Sequence, residues 1–190
     1  DLGMYLCTSG THPYQRWTND KIYPSNRYEY LLRKFQWLAR RLTVYSVHVH
    51  VGIESGEQAI AISNQIIPYL PHLLALSASS PYWEGVDTGM HSCRAGVMAS
   101  FPISGVPYYF PDWHGFENYC ETLLHVGAIA SIKDLYWFIR PSPTYGTLEF
   151  RICDGISTLS ETMAVVALIQ ALVVSIDEEL KAGTRSRTVS

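Results

Sequence analysis

Val47, Val49 and Val51 alternate with His48 and His50 in the stretch Ser46-Val47-His48-Val49-His50-Val51-Gly52. That alternation constrains the fold more than any other feature of the chain. β-Branched valines favour a pleated backbone. Strand side chains alternate faces, so the valines enter a core while both imidazoles share the opposite face. Two neutral imidazoles placed this way can share a metal ion, or divide between a metal and a phosphate oxygen. The plain alternative is a strand whose outer face happens to carry two polar rings.

A second strand is predicted over Thr147 to Cys153, with Leu148, Phe150 and Ile152 on one face and Thr147, Glu149, Arg151 and Cys153 on the other. In one sheet, the two polar faces would combine His48, His50, Glu149 and Arg151, with Arg140 at a strand end and Arg94 on a loop. Arg94 is the one Lys or Arg between Arg41 and Lys133, which suggests an anion contact. Carboxylate and imidazole can hold a divalent ion, and arginines can grip phosphate oxygens with two N–H groups at once. Phosphoryl chemistry needs that mixture, because charge on the transferring group must be offset in place. The plain reading of Glu149 and Arg151 is an ion pair on one strand face. The chain has no GxxxxGK[ST] loop and no GxGxxG turn, so a nucleotide would be held by the sheet.

Elsewhere the periodicity is mainly helical. Tyr28, Leu31, Leu32, Phe35, Leu38 and Leu42 predict a helix over Asn26 to Leu42, with Asn26 and Glu29 as its capping signal. Leu2 to Cys7 alternates like a strand, and the histidine strand should run from Thr43 to Ile53. Ser55 and Gln58 mark another helix start, which Pro68 must interrupt before a second piece, Leu70 to Ala78. Tyr82 to Pro111 has little periodicity and reads as a long functional connection. Further expectations are a helix over Phe116 to Ile129 and a strand from Leu135 to Arg140 ended by Pro141. A buried helix should begin near Thr158, capped with Glu161 and stopped by Gly183. The fold class expected is α+β, a largely antiparallel sheet with helices on one face. Residues 1–183 should form a single domain, and 184–190 a frayed tail.

Composition narrows the function. A net charge of −3 argues against a general nucleic-acid binder. The longest apolar run, Met163 to Ile176, falls short of the ~20 residues that span a bilayer. Cys7, Cys93, Cys120 and Cys153 form no CxxC pair, and reduced thiols in a cytoplasm are expected.

Several longer motifs add a resemblance. His48-Val49-His50-Val51-Gly52, Ala75-Leu76-Ser77-Ala78-Ser79-Ser80-Pro81, Asp87-Thr88-Gly89 and Arg140-Pro141-Ser142 are similar to the carboxylate–amine ligases of the glutamate–cysteine ligase type 2 family. Thr147-Leu148-Glu149-Phe150-Arg151-Ile152-Cys153-Asp154 and Gly10-Thr11-His12-Pro13 fit it as well. The resemblance spans nearly the whole chain. It implies a glutamine-synthetase-like fold and an ATP-dependent reaction with Mg2+ or Mn2+. ATP would phosphorylate the γ-carboxylate of L-glutamate, and the amine of an amino acid such as L-cysteine would attack the acyl phosphate. By the same resemblance His48 and Glu149 are metal ligands, while His50 lies near the phosphates or the substrate. Arg151 would face phosphate, Arg140 would contact phosphate or substrate, and Arg94 would be a further nucleotide contact. A homo-oligomer is expected.

Family members open with a glutamate-rich strand, VGxExE-like, which does not precede Asp1 here, so the chain is expected to be a fragment holding part of a site. Two alternatives stand beside the ligase: a non-haem metal enzyme using His48, His50 and Glu149 as a facial triad, and a non-catalytic remnant of the ligase fold.

Overall fold

The computed structural model describes residues 2–4, 7–19 and 22–184. Leu2 and Met4 are exposed and the described residues of the predicted first strand form none; Tyr5 and Leu6 lie outside the description. So does the predicted tail beyond Thr184.

The helix predicted over Asn26 to Leu42 is two: α1 (Asn26–Phe35) and α2 (Trp37–Arg40). Ser25, not Asn26, is the cap, and its side chain accepts from the Tyr28 N–H at 3.2 Å. The break is at Gln36, whose φ of 49° is left-handed while its N–H still bonds the Leu32 carbonyl. That geometry closes one helix and turns the chain into the next.

The predicted histidine strand pairs as a ladder only over β1 (Val49–Gly52). Val44 and Ser46 before it make isolated bridges to Thr11 and Asp154. Ser55 caps α3 (Gly56–Ile66) by accepting from the Gln58 N–H. Pro68 then forces a single 3-10 turn, and α4 (Leu70–Ser77) resumes with Pro71 in its first turn, where a missing N–H is tolerated. A Cβ on Gly56 would collide with the Trp113 ring. Gly56→Ala is therefore expected to cost about 1–3 kcal/mol through overpacking, read as a lowered denaturation midpoint.

The stretch without periodicity is ordered. It holds the hairpin β2 (Tyr82–Trp83) and β3 (Val86–Asp87), then α5 (Cys93–Ala99) and β4 (Ser104–Gly105). α6 (Trp113–His125) follows, capped by Asp112. Then come β5 (Tyr136–Trp137), β6 (Ile139–Ser142), β7 (Thr147–Phe150) and α7 (Leu159–Lys181).

The main sheet has the order β1-β7-β6, antiparallel throughout, with β7 in the centre. β4 and β5 make a small parallel pair. Pro141 does not end its strand; it sits inside β6, opposite Leu148. β6 is an edge strand, where a residue without an N–H costs no ladder bond. β7 stops at Phe150, so the alternation expected through Cys153 lapses, and Cys153 joins the core instead of the polar face.

One face of this sheet carries Val49, Leu148, Phe150 and Ile139 into contact with α3, α4 and α7, through Ile62, Ile66, Leu73, Val165, Ile169 and Val173. That is the α+β arrangement with helices on one face. A second cluster, around Phe110, Phe116 and Trp137, seats α6. α7 buries one stripe only, leaving Leu159, Met163 and Val174 exposed. By length and composition it could cross a bilayer, as could the stretch Gly56–Ser77; in the fold its inner stripe covers the sheet. Thr158 caps it, accepting from the Glu161 N–H at 3.2 Å.

Candidate functional site

The central strand gives Glu149 a cross-strand neighbour on each side. His50 of β1 lies opposite it on one flank and Arg140 of β6 on the other. His48 and Arg151, just outside the ladder, complete the group on the face away from the helices. Its hub is the Glu149 carboxylate, 4% exposed. Oε1 accepts from Arg151 Nη1 at 2.6 Å and lies 3.3 Å from His48 Nδ1 and 3.8 Å from His50 Nε2. Oε2 accepts from Arg140 Nε at 2.8 Å. The two strands predicted from distant parts of the chain do share one polar surface.

The electrostatics follow. Burial alone would raise the Glu149 pKa, but the His48 hydrogen bond and the Arg151 and Arg140 charges outweigh it, holding the carboxyl well below its usual range. Burial lowers the pKa of His48 below 6.5, with help from the Arg151 charge and against the pull of Glu149. Its imidazole is therefore neutral at pH 7. His48 Nδ1 is also 3.4 Å from Arg151 Nη1. It can thus donate to the carboxylate as N–H, or accept from the guanidinium when bare. His50 is fixed differently: its Nδ1 is 2.8 Å from Thr147 Oγ1, and Tyr145 meets its ring edge-on at 5.7 Å. Thr147 also lines a hollow of about 200 Å3 between Ser55, Trp113 and Pro141.

The arginines separate into two kinds. Arg151 spends Nη1 inside the group, while no acceptor for its Nε or Nη2 occurs among the described residues, which leaves an edge for an anion. Arg140 is buried. Besides Glu149, it donates from Nη1 to the Ile132 and Leu135 carbonyls at 3.1 and 2.9 Å. It anchors Glu149 instead of reaching outward.

Arg94 departs from expectation. It sits on α5, not on a loop, and is 3% exposed. Nη2 donates to the Arg151 carbonyl at 2.7 Å and Nη1 to the Ile152 carbonyl at 2.9 Å. It lies beneath the site and holds the backbone that carries Arg151. Its counter-ion is Asp154, fully buried, whose carboxylate also accepts from the Ser79 N–H at 3.0 Å, the Ser80 hydroxyl at 2.6 Å and the Ser92 hydroxyl at 2.9 Å. Gly10 approaches this carboxylate so closely that a Cβ would overlap it. Sequence reasoning noted Asp154 only at the end of a motif. The serines at 77–80 were the signal, since a run of small hydroxyl residues is what a buried acid needs around it.

The donor set falls short of a metal shell. Among the described residues no three His, Cys, Asp or Glu side chains are arranged to hold an ion. Both imidazoles approach the same oxygen, Oε1, which Arg151 already occupies. The facial triad of the non-haem alternative is thus not assembled, and a hard cation that prefers six or more oxygens finds one carboxylate here.

Comparison with known proteins bears on the whole chain. A family model described as glutamate–cysteine ligase family 2 (GCS2) matches residues 1–189. A Frankia alni protein named "Putative glutamate--cysteine ligase 2-1" is 48% identical over 186 residues, covering 98% of this chain and 49% of its own length. "Putative glutamate--cysteine ligase 2" of Bdellovibrio bacteriovorus is 46% identical over 186 residues, with the same coverage of each. A Mycobacterium tuberculosis protein of that name is 45% identical over 183 residues, covering 96% of this chain and 49% of its own. The chain spans about half the length of the curated relatives it matches.

Proposed function

The chain belongs to glutamate–cysteine ligase family 2, and from that premise we propose that it forms part of an ATP-dependent carboxylate–amine ligase joining L-glutamate to the amine of an amino acid, L-cysteine first among them. In this reading the substrate carboxylate takes a phosphoryl group from ATP. The amine then attacks the carbonyl carbon of the acyl phosphate, the C–N bond forms, phosphate leaves with the electron pair of the broken C–O bond, and the nitrogen gives up a proton to solvent.

The observation that carries the reading is the cross-strand row His50–Glu149–Arg140, with Arg151 held beside it and one edge of its guanidinium unspent. That edge supplies N–H donors to phosphate oxygens. Glu149 fixes the direction of the guanidinium, and Arg140 fixes Glu149. Neutral His48 can donate or accept a hydrogen bond at Nδ1, according to its tautomer, without placing a charge in the site. Mg2+ or Mn2+ would need oxygen donors beyond Glu149, and the reading does not depend on what this chain alone offers such an ion.

The test is ADP release by the intact protein with ATP, L-glutamate and a panel of amino acids, L-cysteine included. Release that requires both glutamate and an amine is expected. Release with no amine dependence, or none at all, ends the reading. Arg151→Lys keeps the charge but loses the fork, so kcat should fall ~100–1000-fold, the scale of losing one transition-state donor. Wild-type kinetics in that variant would remove Arg151 from the site.

A further inference from the structure

Arg41 follows α2, and its guanidinium lies over an indole. Its Cζ is 4.4 Å from the Trp37 ring centroid and 6.0 Å from that of Trp83. Stacking uses the faces of a guanidinium and leaves its edge N–H groups free for an acceptor in the plane. Among the described residues no atom accepts a hydrogen bond from the Arg41 guanidinium. Nε is buried and donates to no atom, and no carboxylate pairs with Arg41 among the described residues. Nε is closed to solvent, so a ligand would meet the terminal amino groups of the guanidinium.

Arg41 opens onto a cavity of about 300 Å3, which Trp83, Met90, Gly96 and Val97 line with apolar surface and Thr88 with a hydroxyl. We propose that this cavity is a binding site for a small monocarboxylate with a short apolar body, its carboxylate on the edge of Arg41 and its chain against Met90 and Val97. No Asp or Glu lines the cavity, so an ammonium group would find no counter-charge beside Arg41, and an α-amino acid is disfavoured. A phosphate dianion would need more donors than one guanidinium gives. The site stands apart from the Glu149 group and does not rest on the ligase reading.

The probe is sodium butyrate, titrated into the intact protein at constant ionic strength and followed by tryptophan emission and by saturation-transfer NMR of the butyrate methyl. Saturable binding is expected. Arg41→Gln should weaken it at least tenfold. Gly96→Leu leaves the Arg41–Trp37 stack in place and fills the cavity, because a Cβ at Gly96 meets nothing within 4 Å. It should weaken binding by at least as much, and it decides the question if Arg41→Gln does not fold. Absence of saturation, affinity unchanged in folded variants, or displacement of butyrate by inorganic phosphate at lower concentration would each overturn the assignment.

Discussion

Glu149→Gln is expected to destabilise the protein by about 3–5 kcal/mol, the usual cost of removing one partner from a buried charge pair. The variant keeps shape and volume, so packing is unchanged. What it removes is the one negative charge between Arg140 and Arg151, which bond Oε2 and Oε1 at 2.8 and 2.6 Å. An amide has one acceptor oxygen where the carboxylate has two, so one guanidinium would meet an NH2 group. The loss should also depend on pH. Folding depresses the Glu149 pKa below its ordinary 4.5. The carboxylate therefore contributes its full stability above pH 4.5 and loses it progressively as pH falls toward the folded value. His48, whose pKa is lowered from 6.5, acts in the same direction: it stabilises above that value and less below it. Denaturant midpoints of wild type and Glu149→Gln should stay apart at neutral pH and converge in acid. A gap that does not change with pH would show that the charge is not what holds the site.

Asp154→Ala should have a comparable or larger effect, at least about 4 kcal/mol and a Tm lower by ~10 °C or more. Asp154 is wholly buried and Arg94 is 3% exposed, so the variant strands a guanidinium in the interior. It also removes the acceptor for the Ser79 N–H and for two hydroxyls. Thermal or denaturant unfolding measures the loss. Adding Arg94→Met should recover part of it, because the double variant no longer buries an unpaired charge. Simple additivity of the two changes would argue that they do not act as a pair.

The site was legible in the sequence where period two applied. His48 and His50 on one face, and Glu149 and Arg151 on another, needed only alternation and a shared sheet to be brought together. Features that depend on tertiary position were not legible. Whether Pro141 ends a strand depends on which strand is the edge, and the order β1-β7-β6 is not written locally. The seven residues of α5 are too few to show a helical period, so the sequence alone puts Arg94 on a loop. Its inward course depends on Asp154, 60 residues away. The break at Gln36 follows from a left-handed turn that no glycine announces, and the loss of alternation after Phe150 moved Cys153 into the core.

The central strand follows both of its neighbours in the sequence. His50 meets Thr147 across a separation of 97 residues, and Asp154 bonds serines 75 and 62 positions before it. During synthesis on the ribosome, β1 and β6 emerge with no strand between them, and the imidazoles and Arg140 have no common partner until Glu149 arrives. A nascent chain halted before Thr147 can wind α1 to α6 and pair β2 with β3 and β4 with β5, yet it lacks the main sheet. Long-range closure of this kind is slow, and until it happens the exposed edges of β1 and β6 are what a chaperone would have to shield.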